Sequence, residues 1–87
     1  MEADFDPDLV DLLPAFLERT RNAIAASFDG DFAATRKVGH NLKGTAATFG
    51  FPRLGDLGHQ LEAAAQALDE SAVLRLRREI SGELRAR

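Results

Sequence analysis

The chain has no cysteine, which excludes disulfides and thiolate metal sites. It has no tryptophan and no tyrosine, and its six aromatic residues are all phenylalanine. No apolar run reaches the roughly 18 residues that a membrane-spanning helix needs. The opening residues, Met1-Glu2-Ala3-Asp4-Phe5-Asp6, are acidic where a signal peptide would be apolar. A surplus of positive charge is also missing. The net charge is −3 and the isoelectric point about 5.2, which argues against a nucleic-acid surface. What is present is 87 residues, 45% hydrophobic and rich in alanine and leucine. That suits one small core of packed helices, a single domain over residues 1–87. A cytoplasmic module with no membrane segment is the expectation.

Punctuation along the chain predicts four main helices. Asp6 before Pro7 reads as an N-cap with proline at the first helical position. Pro14 lies too deep for an uninterrupted helix from Pro7, so a short extra helical segment is predicted from Pro7 to about Leu13. A longer helix follows from Pro14 to about Phe28. Asp29-Gly30-Asp31 is a tight connection in which Asp31 can cap the next helix. That helix runs to about Phe49 and ends at Gly50. Phe51-Pro52 opens a third, to about Leu68, and a last helix covers about Ala72 to Arg85. Such short connections make neighbours antiparallel. The predicted fold is all-α, an antiparallel up-down four-helix bundle with a short extra N-terminal helical segment. The leucines of the last helix, with Leu76 partly off phase, give no dimer seam. A monomer is expected, and light scattering at twice 9.5 kDa would overturn it.

The densest information lies in His40-Asn41-Leu42-Lys43-Gly44. At about 100° per residue, Val38, Leu42, Thr45 and Phe49 fall opposite His40 and make the predicted core stripe. Ala33, Arg36, Lys37, Lys43, Gly44 and Ala47 fall within about 60° of it. His40 thus faces outward among small and cationic residues. Glycine costs about 1 kcal/mol against alanine inside a helix, so Gly44 has no use on a merely solvated face. Periodicity alone leaves open a solvated face that happens to contain a histidine; with Gly44 the pattern suits an imidazole that carries an anion and must be reached by another protein.

On the third helix, Leu54, Leu57, Leu61, Ala65 and Leu68 form the predicted apolar stripe. His59 and Glu62, three residues apart, share a face at its edge; taken alone they read as a surface pair of little worth. In a hairpin pivoting near Gly50-Phe51, His40 and Glu62 stand at similar distances from the turn and can meet. A carboxylate on one ring nitrogen fixes the tautomer and leaves the other nitrogen's lone pair as a nucleophile. Lys43 would offset charge on a phosphoryl group and help keep the free ring neutral.

From Gly39 to about Glu62 the chain resembles the histidine-containing phosphotransfer (HPt) domain. The resemblance rests on His40-x-Leu42-Lys43-Gly44-x-Ala46, then Gly50, Leu54, Leu61 and Glu62. It implies a four-helix bundle that is phosphorylated on His40, with Lys43 stabilising the phosphoryl group and Gly44 leaving room for the partner. Thr48-Phe49-Gly50-Phe51 and His59 are similar to the phosphotransfer domain of chemotaxis histidine kinases. There a hydrogen-bonded quartet maps onto His40, Lys43, His59 and Glu62. Asn41 departs from the family's usual serine or threonine, and the short Asp29-Gly30-Asp31 connection looks more like a free-standing or hybrid-kinase module.

The expected role is a phosphorelay intermediate that exchanges a phosphoryl group between His40 and the aspartate of a response-regulator receiver domain, upstream or downstream of a histidine kinase or hybrid kinase. Arg36, Lys37 and Ala47 join Lys43 and Gly44 in the expected partner surface. No carboxylate cluster suggests a cofactor on this chain, so Mg²⁺ would come with the receiver. With no Gly-rich phosphate loop and no room for an ATP domain, it is expected to be a phosphocarrier and not an autonomous kinase. Two rivals belong to other classes. A metal site on His40 and His59 has a thin ligand set, and Lys43 would repel the ion. A non-covalent helical adaptor would bind receiver domains or another signalling partner without chemistry at His40.

Overall fold

The computed structural model describes residues 7–26 and 28–86. Four helices follow one another: α1 (Pro7–Ala25), α2 (Phe32–Phe49), α3 (Pro52–Gln66) and α4 (Glu70–Arg85). No strand occurs among the described residues, and the tight connections fold the chain up and down as an all-α bundle. α2 and α3 make the most intimate pair, α4 lies along α3, and α1 closes the bundle more loosely.

The predicted break at Pro14 is absent. Pro7–Ala25 is one helix with Pro14 inside it, so there is no separate N-terminal segment. Proline removes one N–H and crowds the carbonyl four residues back, but Pro14 is exposed and lies on the solvent side of α1. The helix beyond it is anchored by buried Phe16, Thr20 and Ile24, and Thr20 Oγ1 donates to the Phe16 carbonyl at 2.8 Å. The helix stops at Ala25, short of the predicted Phe28. There the Arg77 guanidinium donates to the carbonyls of Ile24 and Ala26, satisfying acceptors that a helix end leaves open. The predicted cap at Asp6 lies outside the described residues.

Asp31 caps α2 by accepting from the Ala34 N–H at 3.0 Å. Gly50 ends it in the left-handed region, φ 78°, with its N–H on the carbonyls of Ala46 and Ala47. Pro52 then opens α3. α3 ends at Gln66 and not near Leu68, which is 67% exposed in the turn at φ 58°. Asp69 accepts from the Ala72 N–H at 3.1 Å, so α4 begins at Glu70, ahead of the predicted Ala72.

Leu54, Leu57, Leu61, Val73, Leu76, Ile80 and Leu84 fill the core, joined by Leu42 and Ala46 from α2 and by Phe16 and Ile24 from α1. Leu76 is in phase after all; Leu74 is the residue of α4 that stays partly outside, 39% exposed. α2 is also turned relative to its predicted stripe. Its buried residues are Thr35, Gly39, Leu42 and Ala46, a rotation of roughly 60°. The cause is a close approach to α3. A Cβ on Gly39 would lie 2.6 Å from the Glu62 nitrogen and 2.7 Å from the Gly58 carbonyl oxygen. Val38 and Phe49 are consequently left half-buried. The Phe49 ring turns to α1 and stacks on Phe16, with centroids 5.0 Å apart.

Candidate functional site

α2 carries His40 on its outer side, and the α2–α3 pairing brings Glu62 across from it. His40 Nδ1 lies 3.0 Å from Glu62 Oε2, and Lys43 Nζ lies 3.2 Å from Glu62 Oε1. One carboxylate therefore serves two neighbours, one through each oxygen. Its side chain is 17% exposed, against 64% for His40 and 42% for Lys43. The Lys43 hydrogen bond acts most strongly on the Glu62 carboxyl; desolvation opposes it, and with the hydrogen bond from His40 added the group is held below its ordinary value of 4.5. Near neutral pH Glu62 is thus a carboxylate and can only accept. The proton of the neutral ring belongs on Nδ1, which leaves the Nε2 lone pair unprotonated.

Gly44 lies one turn beyond His40, and a Cβ built on it meets nothing within 4 Å. The gap is open to the outside. Arg36, Lys37 and Ala47 are exposed on the same face, and neither cation has an ion-pair partner among the described residues. Two hollows flank the imidazole. One is lined by Ala33, Arg36, Lys37 and Glu62 and is cationic along its α2 side. The other, between α1 and α2, has Leu12, Phe16 and Phe49 in its wall with Arg19, Gly44 and Thr48.

His59 is not part of the cluster. It is exposed and forms no hydrogen bond or ion pair among the described residues. Three residues before Glu62, it lies about 60° round the helix, far enough to face away. The sequence reading also passed over what α1 brings, namely Leu12, Phe16 and Arg19 beside His40, and over Gly39 and Gly58. The signal for the glycines was present: each helix flanking the Gly50 turn has an interior glycine directly before a histidine. Among the described residues no three His, Asp or Glu side chains gather to hold a metal ion.

An exposed histidine whose ring is oriented by a carboxylate, beside a lysine and an open glycine, can act as a nucleophile and leaves access for a large partner. The family model of the Hpt domain matches residues 7–86. The chain belongs to the Hpt domain family. No curated protein and no solved structure matches it. Hpt domains are phosphocarriers of two-component signalling and not kinases, and they interact with kinases and receiver domains of such systems. The all-α bundle fits that family. No helix among the described residues is long and apolar enough to cross a membrane.

Proposed function

We propose that this Hpt domain is a phosphorelay intermediate that carries its phosphoryl group on Nε2 of His40. The observation that carries the reading is the Nδ1–Glu62 contact at 3.0 Å on a ring that is 64% exposed. The donor is the phosphorylated aspartate of a receiver domain. The Nε2 lone pair attacks phosphorus, an N–P bond forms, and the P–O bond to the aspartyl carboxylate breaks with the electron pair leaving on that oxygen. The ring gains positive charge while Nδ1 keeps its proton, and the adjacent Glu62 carboxylate offsets that charge as a buried aspartate does for an imidazolium in acyl transfer. The reverse reaction returns the group to a second receiver. Lys43, already held at the site by Glu62, pairs with the phosphoryl oxygens. The open space at Gly44 admits the partner's backbone or side chains, and Arg36, Lys37 and Ala47 flank the contact. Mg²⁺ arrives on the receiver. The module works as a cytoplasmic monomer between a histidine or hybrid kinase and its receivers.

The test mixes the protein with several phosphorylated receiver domains and Mg²⁺, alongside His40→Gln. Acid-labile, base-stable phosphate on the wild type and none on the variant is the expected result. Failure with every receiver, in folded protein, would leave a non-covalent adaptor that binds receivers.

A further inference from the structure

We infer that Gly39 and Gly58 are positioning residues for the His40 ring: the close α2–α3 contact they permit is what brings Glu62 within hydrogen-bond reach of Nδ1. The tightest approach at Gly39 falls on the site itself. A Cβ there would stand 2.6 Å from the backbone nitrogen of Glu62 and 3.0 Å from its Cα. Gly39 is thus next to His40 in sequence and back to back with Glu62 in space. Gly58 works from the other side, one turn before Glu62. A Cβ on it would lie 2.8 Å from the Lys43 nitrogen and 3.0 Å from the Gly39 carbonyl oxygen. The nearest atoms on both sides are backbone atoms, which cannot swing aside as a side chain can, and the Leu42 Cβ, 3.1 Å from a Cβ on Gly58, is fixed to the backbone too.

An alanine at either position must therefore push the helices apart beside the point where His40, Lys43 and Glu62 meet, by up to about 1 Å from 2.6 Å at Gly39 or 2.8 Å at Gly58 to an ordinary contact. A hydrogen bond of 3.0 Å has no such margin. Once it breaks, nothing else on α3 holds the Nδ1 proton, and the ring is free to place its proton on Nε2, the nitrogen the transfer uses. Gly55 marks the contrast. A Cβ on it would meet the Lys43 carbonyl oxygen at 3.6 Å and the Ala46 Cβ at 3.8 Å, ordinary contact distances. The close fit is confined to the pair beside the site.

The kinetic half of this inference rests on His40 being the phosphoryl carrier; the structural half does not. The experiment therefore reads both. Long-range ¹H–¹⁵N spectra, taken where the ring is neutral, report which nitrogen of His40 bears the proton. The wild type and Gly55→Ala should show Nδ1–H. Glu62→Met, which removes the acceptor, should show Nε2–H, and Gly39→Ala and Gly58→Ala should follow it while circular dichroism stays helical. Transfer from a phosphorylated receiver should slow about 10- to 100-fold in Gly39→Ala, the scale of a 1 Å misplacement. Gly39→Ala should add almost nothing in the Glu62→Met background, because both changes remove the same contact. The inference fails if Gly39→Ala keeps the Nδ1–H form, as it would if side-chain rotation absorbed the shift. It also fails if its kinetic effect is as large without Glu62, or if both glycine variants unfold, which would make the pair a requirement of the fold alone. A wild type that takes no phosphate at all would refute the proposed function, while the proton's position would still decide this inference.

Discussion

At Glu62 two demands meet on one carboxylate, one from His40 and one from Lys43, and its acidity records both. Because its pKa in the folded protein lies below the ordinary 4.5, the carboxylate favours the folded state. That contribution is complete above the unfolded value and is lost as pH falls through the folded one. The urea midpoint of the wild type should therefore exceed that of Glu62→Gln most at neutral pH, with the gap closing as the pH falls below 4.5 and through the lower folded value. A gap that widened in acid would reverse the assignment. Lys43 has a different part, since exposed pairs add little to stability. Lys43→Ala should lower the unfolding midpoint slightly, by less than Glu62→Gln because the His40 contact remains, and slow transfer about 100- to 1000-fold, as loss of one donor to a developing charge does. The meeting of His40 and Glu62 was legible because a short turn fixes the register of the helices beside it. The absence of His59 from the cluster was less legible: spacing places two residues on one helical face, but it does not tell which of them the neighbouring helix will reach.

The helices were read from their ends more reliably than from their middles. Asp31, Gly50 and Pro52 mark boundaries by local chemistry, through a cap, a left-handed glycine and a helix-opening proline, and local chemistry is visible in sequence. Pro14 misled because a proline's cost can be met where it faces solvent and the next turns are anchored by Phe16 and Thr20. The phase of α2 misled because hydrophobicity alone was counted; glycine has none, yet Gly39 faces inward and draws the helix round. Gly44 is the opposite case, with nothing near its missing Cβ. Gly44→Ala should raise stability by about 1 kcal/mol in a urea titration. If the space is kept for a partner, the same change should slow transfer from a receiver.

For the molecule as a whole, stability rests on few residues. Leu57 is fully buried on the helix that touches both α2 and α4. Leu57→Ala should cost about 2–5 kcal/mol, a large share of what so small a domain has in reserve, and calorimetry should find the melting point sharply lowered. The up-down arrangement was legible from connection lengths. The looser seat of α1 was not, since its length and amphipathic pattern do not tell how much of it finds a partner. One consequence of the cationic hollow beside His40 concerns light. The chain has neither tryptophan nor tyrosine, so it is dark where most proteins fluoresce. Ala33 is exposed at the rim of that hollow, about 10 Å along α2 from His40. A single tryptophan placed there would be this chain's only emitter, and any change in its colour on mixing with an indole-free receiver would come from that face alone.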